Sequence, residues 1–394
     1  MHIILIDGAE RDNLLPFTFT RPISEIRFGI LTITQKWEKH LQSQAGFITQ
    51  EYLKYKFPNI KNIDRDVILI NGSVCPDNLL IDSIINLKQA QSLFANDKFI
   101  AANIGKLVPI SIQEASTIIN LFEKVEYKNP FLSIENVWDI FSKNGEAINA
   151  DFDLITKGRI SEPISETNKL IKPEHIFLEK GAVVECSILN ASSGKIYIGA
   201  NAEVMEGSIV RGALALCEGS ALKLGTKIYG PTTIGPHSKV GGEINNSVIF
   251  GFSNKAHDGF LGNSVIGEWC NLGADTNNSN LKNNYSQVQV YSYAQKDYIN
   301  TGLQFCGLMM ADHSKCGINT MFNTGTVVGT CANIFGAGFP PKHIKSFSWG
   351  GADGFVDFKL DKAIELAERV YERRKMTFDE VEKNIFQYLY QNNS

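Results

Sequence analysis

The 394-residue sequence has no apolar run near the ~20 residues that a membrane-spanning helix needs, and it has no block of basic residues. Its net charge is −4, so nothing in the composition points to nucleic acid or a membrane as a partner. The apolar N-terminal run ends at Asp7 and lacks a basic leading segment. We therefore expect a buried first strand there and not a signal peptide.

The seven cysteines show no C-x-x-C spacing, so a zinc site is not indicated. Because their number is odd and no secretion signal precedes them, we expect reduced thiols in a cytoplasmic protein. The apolar content of 43% and the charged content of 20% are ordinary for a globular chain. The length favours two or three domains.

What the sequence does contain is a six-residue repeat. Every sixth residue from 198 to 240 is aliphatic, and the residue two places before it is usually small. The aliphatic positions are Ile198, Val204, Val210, Leu216, Leu222, Ile228, Ile234 and Val240. This period predicts triangular coils, in which each aliphatic side chain points inward and stacks on the next coil while the small residue fits a corner. A β-sandwich is the alternative, but its strands alternate with a period of two.

The repeat is interrupted twice. After Val240 the phase slips by two residues, and we assign the inward positions again from Val248, with Phe260, Ile266 and Leu272 in step. A polar segment rich in Asn and Tyr, residues 277–303, forms the second interruption. A loop of this length is usually functional or disordered, and here we expect it to project from one edge of the coils. A last run of inward positions reads Met310, Cys316, Phe322, Val328 and Ile334.

The first 150 residues follow a different pattern, in which strands alternate with helices. The segments IILIDG (3–8) and DRDVILINGS (64–73) indicate buried strands followed by a glycine turn, and helix-like segments cover 30–42 and 76–94. This alternation predicts an α/β domain with a mostly parallel sheet. Ligands of such sheets bind beyond the carboxyl ends of the strands.

The last residues indicate two helices. Residues 360–375 have apolar side chains at helical spacing, and Thr377 with Glu380 suggests a capping box before a second helix. We expect these helices to cap the open end of the coils. The predicted organisation is an α/β domain over 1–155, a connection over 156–175, a β-helix over 176–345 and a helical cap over 346–394.

Two segments resemble a known family. NKAHDGFLGNSVIGEWCNLGADTNNSNLKN (254–283) resembles the acetyltransferase half of GlmU-like bifunctional sugar-1-phosphate nucleotidyltransferase/acetyltransferases, which are hexapeptide-repeat acyltransferases. LLPFTFTRPISEIRFGI (14–30) resembles the nucleotidyltransferase opening of a bacterial GlmU-like group often called glucose-1-phosphate thymidylyltransferase. The resemblance covers both large domains in the same order. It implies an incomplete Rossmann-like N-terminal domain, a left-handed parallel β-helix and a homotrimer.

For the β-helix, the resemblance implies acetyl transfer from acetyl-CoA, as co-substrate, to an amino-sugar 1-phosphate. His257 falls on the family's catalytic base, and Asn271 and Asn280 fall on asparagines that position the amino sugar and the base. Phe260 stands where the family has a tyrosine. Gly241 replaces the phosphate-binding arginine, a loss for which Lys255 or Lys282 can compensate.

For the N-terminal domain, the resemblance implies binding of UTP or dTTP and of a sugar phosphate, with Mg²⁺ as an allowed cofactor. Gly8 and Arg11 fall in the phosphate-binding loop, and Arg21 can approach a phosphate. The lysine expected next is Ile23, and Asn71-Gly72 stands in place of the family's magnesium-binding Gly-Asp. These departures predict a degenerate nucleotidyltransferase domain.

Two other functions stay open at this point. One is a sugar-1-phosphate nucleotidyltransferase whose β-helix serves only for oligomerisation. The other is a protein that binds sugar nucleotides without catalysis, which the missing lysine and aspartate favour.

Overall fold

A computed structural model describes residues 1–60 and 64–392, which form an α/β domain, a parallel β-helix and two C-terminal helices. The domain's six strands are β1 His2–Ile6, β2 Ala45–Ile48, β3 Val67–Asn71, β4 Gln91–Ala95, β5 Lys98–Gly105 and β6 Glu123–Glu126. Its helices are α1 Ile33–Leu41, α2 Asn78–Ile85, α3 Ile112–Leu121, α4 Asp139–Ser142 and α5 Asn144–Thr156. Short 3₁₀ helices cover Ala9–Leu14, Phe17–Phe19, Ile23–Glu25, Glu51–Leu53 and, in the β-helix, Pro173–His175.

The sheet of the α/β domain has the order β2-β1-β3-β5-β4-β6 and is mixed. Strand β1 runs parallel to β2 and β3, and β4 runs parallel to β6, but β5 is antiparallel to both neighbours. The prediction of a mostly parallel sheet is therefore confirmed for five of the six strands, and β5 is the exception. The cause is a two-residue hairpin, Asn96-Asp97, whose left-handed backbone angles suit a tight turn between β4 and β5.

The predicted β-helix is confirmed as a stack of parallel coils with three faces. The first face contains Lys169–Ile171, Ile188–Asn190, Ile209–Arg211, Lys227–Tyr229, Glu243–Asn245 and Phe260–Gly262, with the pair Asn277–Asn278 and Met321–Phe322 beyond them. The second contains Ile176–Leu178, Ile196–Ile198, Leu214–Leu216, Thr232–Ile234, Val248–Ile249, Val265–Ile266, Met309–Met310, Val327–Val328 and His343–Ile344. The third contains Val183–Val184, Glu203–Val204, Ala221–Leu222, Lys239–Val240, Asn254–Lys255, Asn271–Leu272, Lys315–Cys316, Asn333–Ile334 and Ser348–Gly351, with Gly354–Asp357 antiparallel at its end.

The coils extend beyond the predicted limits of 176 and 345 at both ends. The first strand, Lys169–Ile171, lies inside the expected connection and pairs with Ile188–Asn190. The last strand on the third face, Ser348–Gly351, pairs with Asn333–Ile334. Neither terminal strand shows the six-residue period clearly, which is why the sequence placed the boundaries inside them.

Between the phase slip and Leu261, the inward register differs from the prediction by one residue, whereas the predicted inward positions Ile266 and Leu272 are confirmed. Ile249 pairs with Ile234, and Leu261 pairs with Ile244, so these two side chains enter the coil interior. Val248 instead points outward into the core of the α/β domain. The prediction that Val248 and Phe260 are inward positions is therefore wrong.

The α/β domain packs on the second face of the β-helix. One continuous apolar core contains Ile3 and Phe17 from the domain and Val248, Val265 and Met309 from the coils. The polar interruption also joins this core. It forms an antiparallel hairpin, Gln289–Ser292 with Asp297–Asn300, and the flanking Val288, Val290 and Cys306 are buried with the domain. The expectation that this segment projects from an edge is therefore wrong.

The two C-terminal helices, α6 Leu360–Glu372 and α7 Glu380–Gln391, cover the corner between the second and third faces. Helix α7 is capped by Asp379, whose Oδ1 accepts a hydrogen bond of 3.0 Å from Glu382 N. The capping box expected at Thr377 and Glu380 is therefore wrong by two residues. The helices lie along the flank of the coils as well as near their end. Within the described ranges, no helix is long and apolar enough to cross a membrane.

Candidate functional site

The phase slip has a structural cause at the corner that joins the third face to the first. This corner contains only Gly241-Gly242, whereas the same corner of the next coil contains the four residues 256–259. A Cβ atom on Gly242 would lie 2.8 Å from Asp258 Cα, and its φ of +76° also favours glycine. The short corner therefore leaves a notch in the stack, and the longer corner above it lies directly against the notch.

His257 lies on the longer corner and is exposed above the notch. It lines a groove of about 440 Å³ together with Lys223, Leu224, Gly241, Gly242, Ala256, Asp258, Ala274 and Asp275. The groove is open to solvent and carries one lysine, one histidine and two aspartates. An exposed histidine in such a groove is positioned to act as a general base toward a bound amine.

Lys255 occupies an inward position of the third face, where the neighbouring coils have Val240 and Leu272, and it is 2% exposed. Its Nζ donates hydrogen bonds to the carbonyl oxygens of Gly241 at 3.1 Å, His257 at 2.5 Å and Asp258 at 3.0 Å. Burial lowers the pKa of Lys255 to about 8. The lysine thus fastens the corner that carries His257, and it does not face the groove as the phosphate ligand that was predicted.

The other residues predicted for acetyl transfer do not line this groove. Phe260 begins the next first-face strand, and its ring lies over Gly262 close to the side-chain amide of Asn280. Asn280 donates a 2.8 Å hydrogen bond to Asn263 Oδ1 at the corner between the first and second faces. Asn271 is exposed on the third face. Within one chain, these residues therefore lie on different sides of the coils from His257.

Lys282, the second predicted substitute for the missing arginine, lies in the segment that follows Asn280. Its Nζ donates a 2.7 Å hydrogen bond to the carbonyl of Gln287. It does not line the groove below His257. Neither predicted lysine therefore reaches the groove, and the cation that does is Lys223.

The carboxyl ends of β1 and β3 form a second pocket, of about 280 Å³, which is lined by Gly8, Glu10, Asn71 and Lys98 among others. Asn71 Nδ2 donates to Glu10 Oε1 at 3.2 Å, and Lys98 Nζ lies 3.3 Å from the same oxygen. Glu10 Oε2 is buried without a hydrogen-bond partner among the described residues. The pocket therefore holds a cation, an amide and a free acceptor at the position where α/β domains bind ligands.

Two neighbouring residues hold the backbone of this strand-end pocket, and one of them, Asp7, also lines it. Asp7 is buried and accepts hydrogen bonds from Ile23 N at 2.8 Å and Thr49 Oγ1 at 2.6 Å. Burial raises the pKa of Asp7. Gly72 lies behind the pocket, where its N–H donates to Ile6 O at 2.8 Å. Both residues therefore fix the backbone at the strand ends.

The two predicted phosphate-binding arginines point elsewhere. Arg11 donates to the carbonyl of Thr18 at 2.8 Å and to Tyr52 Oη at 2.9 Å, on the side away from Gly8 and Asn71. Arg21 is 4% exposed and pairs with Asp312 and Glu268 of the β-helix. The prediction that Arg21 approaches a phosphate is therefore wrong, because its guanidinium is neutralised inside the interface between the domains.

The described residues do not assemble a metal site. Within 1–60 and 64–392, no three His, Cys, Asp or Glu side chains come together as metal ligands. In the strand-end pocket, Glu10 is already paired with Lys98. The Mg²⁺ allowed for the N-terminal domain stays a prediction, and no chemical step below is assigned to a metal.

Sequence reasoning did not find Lys223, Asp258 and Asp275 as parts of the groove. All three lie at the same corner of successive coils as His257. The signal that could have found them is the two-residue slip at Gly241-Gly242. That slip identifies the shortened corner. The residues at the same corner of the neighbouring coils can then be found by counting one coil forward or backward along the sequence.

Comparison with known proteins gives matches for both large domains. Residues 3–160 match the model of a family described as sugar nucleotidyl transferase. A bifunctional sugar-1-phosphate nucleotidylyltransferase/acetyltransferase of Sulfurisphaera tokodaii is 25% identical over 285 residues, which are 70% of this chain and 62% of that protein. The chain thus spans less than two thirds of that relative.

The bifunctional protein GlmU of Methanocaldococcus jannaschii is 25% identical over 353 residues, which are 80% of this chain and 77% of that protein. Among solved structures, the polySia specific acetyltransferase NeuO aligns with 54% of this chain and 99% of its own, at 14% identity and a TM-score of 0.29. AntD, an N-acyltransferase from Bacillus cereus, aligns at 12% identity and a TM-score of 0.23, over 53% of this chain and 87% of its own.

Proposed function

As the two sequence segments predicted, the chain is GlmU-like, and from this premise we propose that it is a sugar-phosphate transferase whose β-helix acetylates an amino-sugar 1-phosphate. The acetyl donor is acetyl-CoA. The single observation that supports this proposal best is the exposed His257 above the Gly241-Gly242 notch. This position supports a role for His257 as general base, because its side chain lies directly above the short corner, over the groove.

In the proposed reaction, the amine nitrogen of the sugar attacks the thioester carbon of acetyl-CoA. The C–S bond breaks, the new C–N bond forms, and the coenzyme leaves as a thiol. His257 takes the proton that the ammonium must lose, and a proton returns to the departing sulfur. Lys255 holds the His257 and Asp258 carbonyls in place from inside the coil, so it acts as a positioning residue.

We further propose that the complete site forms between copies of the chain. His257 lies at one corner of the coils, whereas Phe260 and Asn280 lie together over Gly262 on the first face. If all three contact one substrate, a second chain must supply some of them. The first face is suited to this contact, because Ile188 and Ile209 are 40% and 48% exposed there. A homotrimer would satisfy this requirement.

For the N-terminal domain we propose a degenerate nucleotidyltransferase function. The strand-end pocket keeps Lys98, Asn71 and the free Glu10 oxygen, which suit a sugar phosphate. Arg21, however, is committed to the interface with the β-helix. Pyrophosphate release would therefore lack one of the family's charge-neutralising groups.

The acetyltransferase proposal is tested by following the release of free thiol from acetyl-CoA with glucosamine 1-phosphate as acceptor. We expect turnover by the full chain and a loss of about 10² to 10⁴-fold in His257→Ala, which is the usual contribution of a general base. His175→Ala is the matched control, because His175 is exposed on the first coil, away from the groove below His257. Full activity in His257→Ala, or no turnover with any amino-sugar phosphate, would contradict the proposal.

A further inference from the structure

A third cavity, of about 480 Å³, lies where the α/β domain, the hairpin 289–300, the last coil and helix α7 meet. The domain supplies Arg11 and Tyr52, the hairpin supplies Tyr293, the coil supplies His343, and α7 supplies Tyr388. This junction pocket is separate from the strand-end pocket, with which it shares no lining residue. Its volume is in the range of small-molecule sites.

The charge of the junction pocket is entirely positive. Arg11, Lys296 and Lys345 line it, and none of the described lining residues is acidic. Within the described chain, neither Lys296 nor Lys345 forms an ion pair. Arg11 already pairs with Asp7 and Asp12, which do not line the cavity, so Lys296 and Lys345 are the lining cations without a carboxylate partner in the described chain. In a protein with a net charge of −4, these two free cations indicate that the ligand of the cavity is an anion.

The remaining walls are aromatic. Tyr52 stacks on Tyr388 with ring centroids 4.0 Å apart, and Tyr291 stacks on His343 at 3.6 Å. These two stacked pairs come from four separate parts of the chain, so the rings are held in fixed orientations. Planar rings of this kind provide stacking surfaces for a heteroaromatic base. Amide side chains of Gln50 and Asn392 also line the cavity and can pair with the edge of a base.

Three buried polar atoms of the lining residues have no hydrogen-bond partner in the described chain. They are Arg11 Nε, Tyr293 Oη and His343 Nε2. Arg11 Nε has only the Asp7 carboxylate at 3.6 Å. A buried polar group without a partner costs about 1–3 kcal/mol. Three such groups around one cavity indicate that their partners come from a bound molecule.

We propose that the junction pocket binds a nucleoside phosphate, whose base stacks on the tyrosine walls and whose phosphates are neutralised by Arg11, Lys296 and Lys345. This ligand contacts both domains and α7 at once, so its binding holds them together. The inference does not depend on acetyl transfer at His257. Two molecules carry the required chemistry: a nucleoside triphosphate such as UTP or dTTP, and coenzyme A through its phosphorylated adenosine.

The test is isothermal titration of the full chain with dTTP, UTP, coenzyme A, pyrophosphate and uridine. The variant Lys296→Glu/Lys345→Glu reverses two charges of the cavity wall, and Lys157→Glu is the matched control on α5's C-terminal side. We expect the double variant to lose at least tenfold in affinity for a nucleotide, and the control to keep it. Tyr293→Phe should weaken binding without lowering the melting temperature, because it removes an unpaired hydroxyl.

Lys98→Ala separates this site from the strand-end pocket, because Lys98 lines only the latter. Nucleotide affinity that falls in the double variant and persists in Lys98→Ala supports the junction pocket. Preference for dTTP or UTP identifies a substrate-type nucleotide, and preference for coenzyme A identifies the coenzyme tail. Unchanged affinity in the double variant, pyrophosphate binding as tight as nucleotide binding, or no binding of any probe would overturn the inference.

Discussion

His313 shows how one side chain can be held in an unusual state by its position on a coil corner. It is 6% exposed, and its φ of +61° places it in a column of corner residues with Phe252, Trp269 and Phe347. Its ring lies 4.9 Å from that of Phe386 in α7. Burial, followed by the nearby charge of Lys315, lowers the pKa of His313 well below its usual value. The folded protein therefore keeps this histidine neutral.

We predict that His313 makes the protein less stable in mild acid. Between neutral pH and pH 5, the unfolded chain binds a proton at this histidine and the folded chain does not, so the free energy of unfolding falls as the pH decreases below about 6.5. The slope from one such group approaches about 1.4 kcal/mol per pH unit. In His313→Phe this pH-dependent contribution should disappear, because phenylalanine binds no proton. The substitution fits the corner, since phenylalanine already occupies the same corner position at Phe252 and Phe347. Urea unfolding at pH 7.5 and 5.5 measures the difference.

The comparison of variant with wild type matters because other charged groups face His313. Lys56, Lys315 and Arg21 surround it, and Asp312 precedes it with a pKa that burial raises. These groups titrate in both proteins and cancel in the difference. His175→Phe is the control for loss of an exposed histidine. An equal pH dependence of wild type and His313→Phe would contradict the prediction.

At the scale of the element, helices α6 and α7 stabilise the corner between the second and third faces. Tyr371 of α6 stacks on Trp269 with centroids 4.1 Å apart, and Phe386 of α7 is buried against His313 and Phe347. The corner rings are large and apolar, and without the helices they would face solvent. The helices therefore complete the β-helix along its side.

We predict that Phe386→Ala lowers the free energy of unfolding by about 3–5 kcal/mol, the usual cost of truncating a buried phenylalanine. Loosening of α7 should also speed tryptic cleavage in the connection after α6, at Arg373 to Lys375. Limited proteolysis and urea unfolding together measure both effects. The neighbouring Gln387→Ala is the control, since Gln387 is exposed. Cleavage and stability that match the control would show that α7 is not held by this contact.

The elements that were predicted well are those whose structure follows from one regular sequence pattern. The period of six identified the coils because every inward position from Ile198 to Val240 is aliphatic and buried. After the slip the same reasoning chose Val248, although Ile249 is the inward residue. Both are aliphatic, and both are buried because the α/β domain covers the outer side of the second face. A sequence pattern cannot distinguish a coil interior from an interface of the same composition.

The candidate site was predictable only in part, for a related reason. His257 was found because its local segment resembles a known family, and the slip before it proved to be the short corner. Lys255 and Arg21 were misassigned, because a charged residue in a sequence is expected at a surface or a ligand. The partners of Lys255 are backbone carbonyls at coil corners, and those of Arg21 are carboxylates 247 and 291 residues away, so no local pattern reports such contacts.

At the scale of the whole molecule, the two large domains are joined by an ionic contact as well as by apolar packing. Arg21 pairs with Asp312 and lies 3.1 Å from Glu268, and Thr20 donates its hydroxyl to Asp312 as well. The arginine also lies over the ring of Phe250, 5.1 Å from its centroid. This cluster is buried inside a core that both domains share, so we expect the domains to unfold together.

We predict that Arg21→Met lowers the free energy of unfolding by about 3–5 kcal/mol, because it leaves the carboxylates of Asp312 and Glu268 together in a buried site. Asp312→Asn should cost less, since Arg21 keeps Glu268 and the amide oxygen of the substituted side chain can still accept a hydrogen bond from Glu268 N. The double variant should be more stable than the sum of the two losses predicts, by about 1–3 kcal/mol.

Urea unfolding of the four proteins at pH 7.5 measures this double-mutant cycle. The exposed pair of Arg369 and Glu365, at 2.5 Å, provides the matched control, because a surface ion pair contributes only about 0–1 kcal/mol and Arg369→Met should have little effect. Acid provides a second check on the mechanism. In Arg21→Met, Asp312 has lost its cation, so its already raised pKa rises further and part of the lost stability should return as the pH falls and the carboxyl becomes protonated. Additive losses in the cycle, with no such return in acid, would mean that apolar packing alone holds the two domains together.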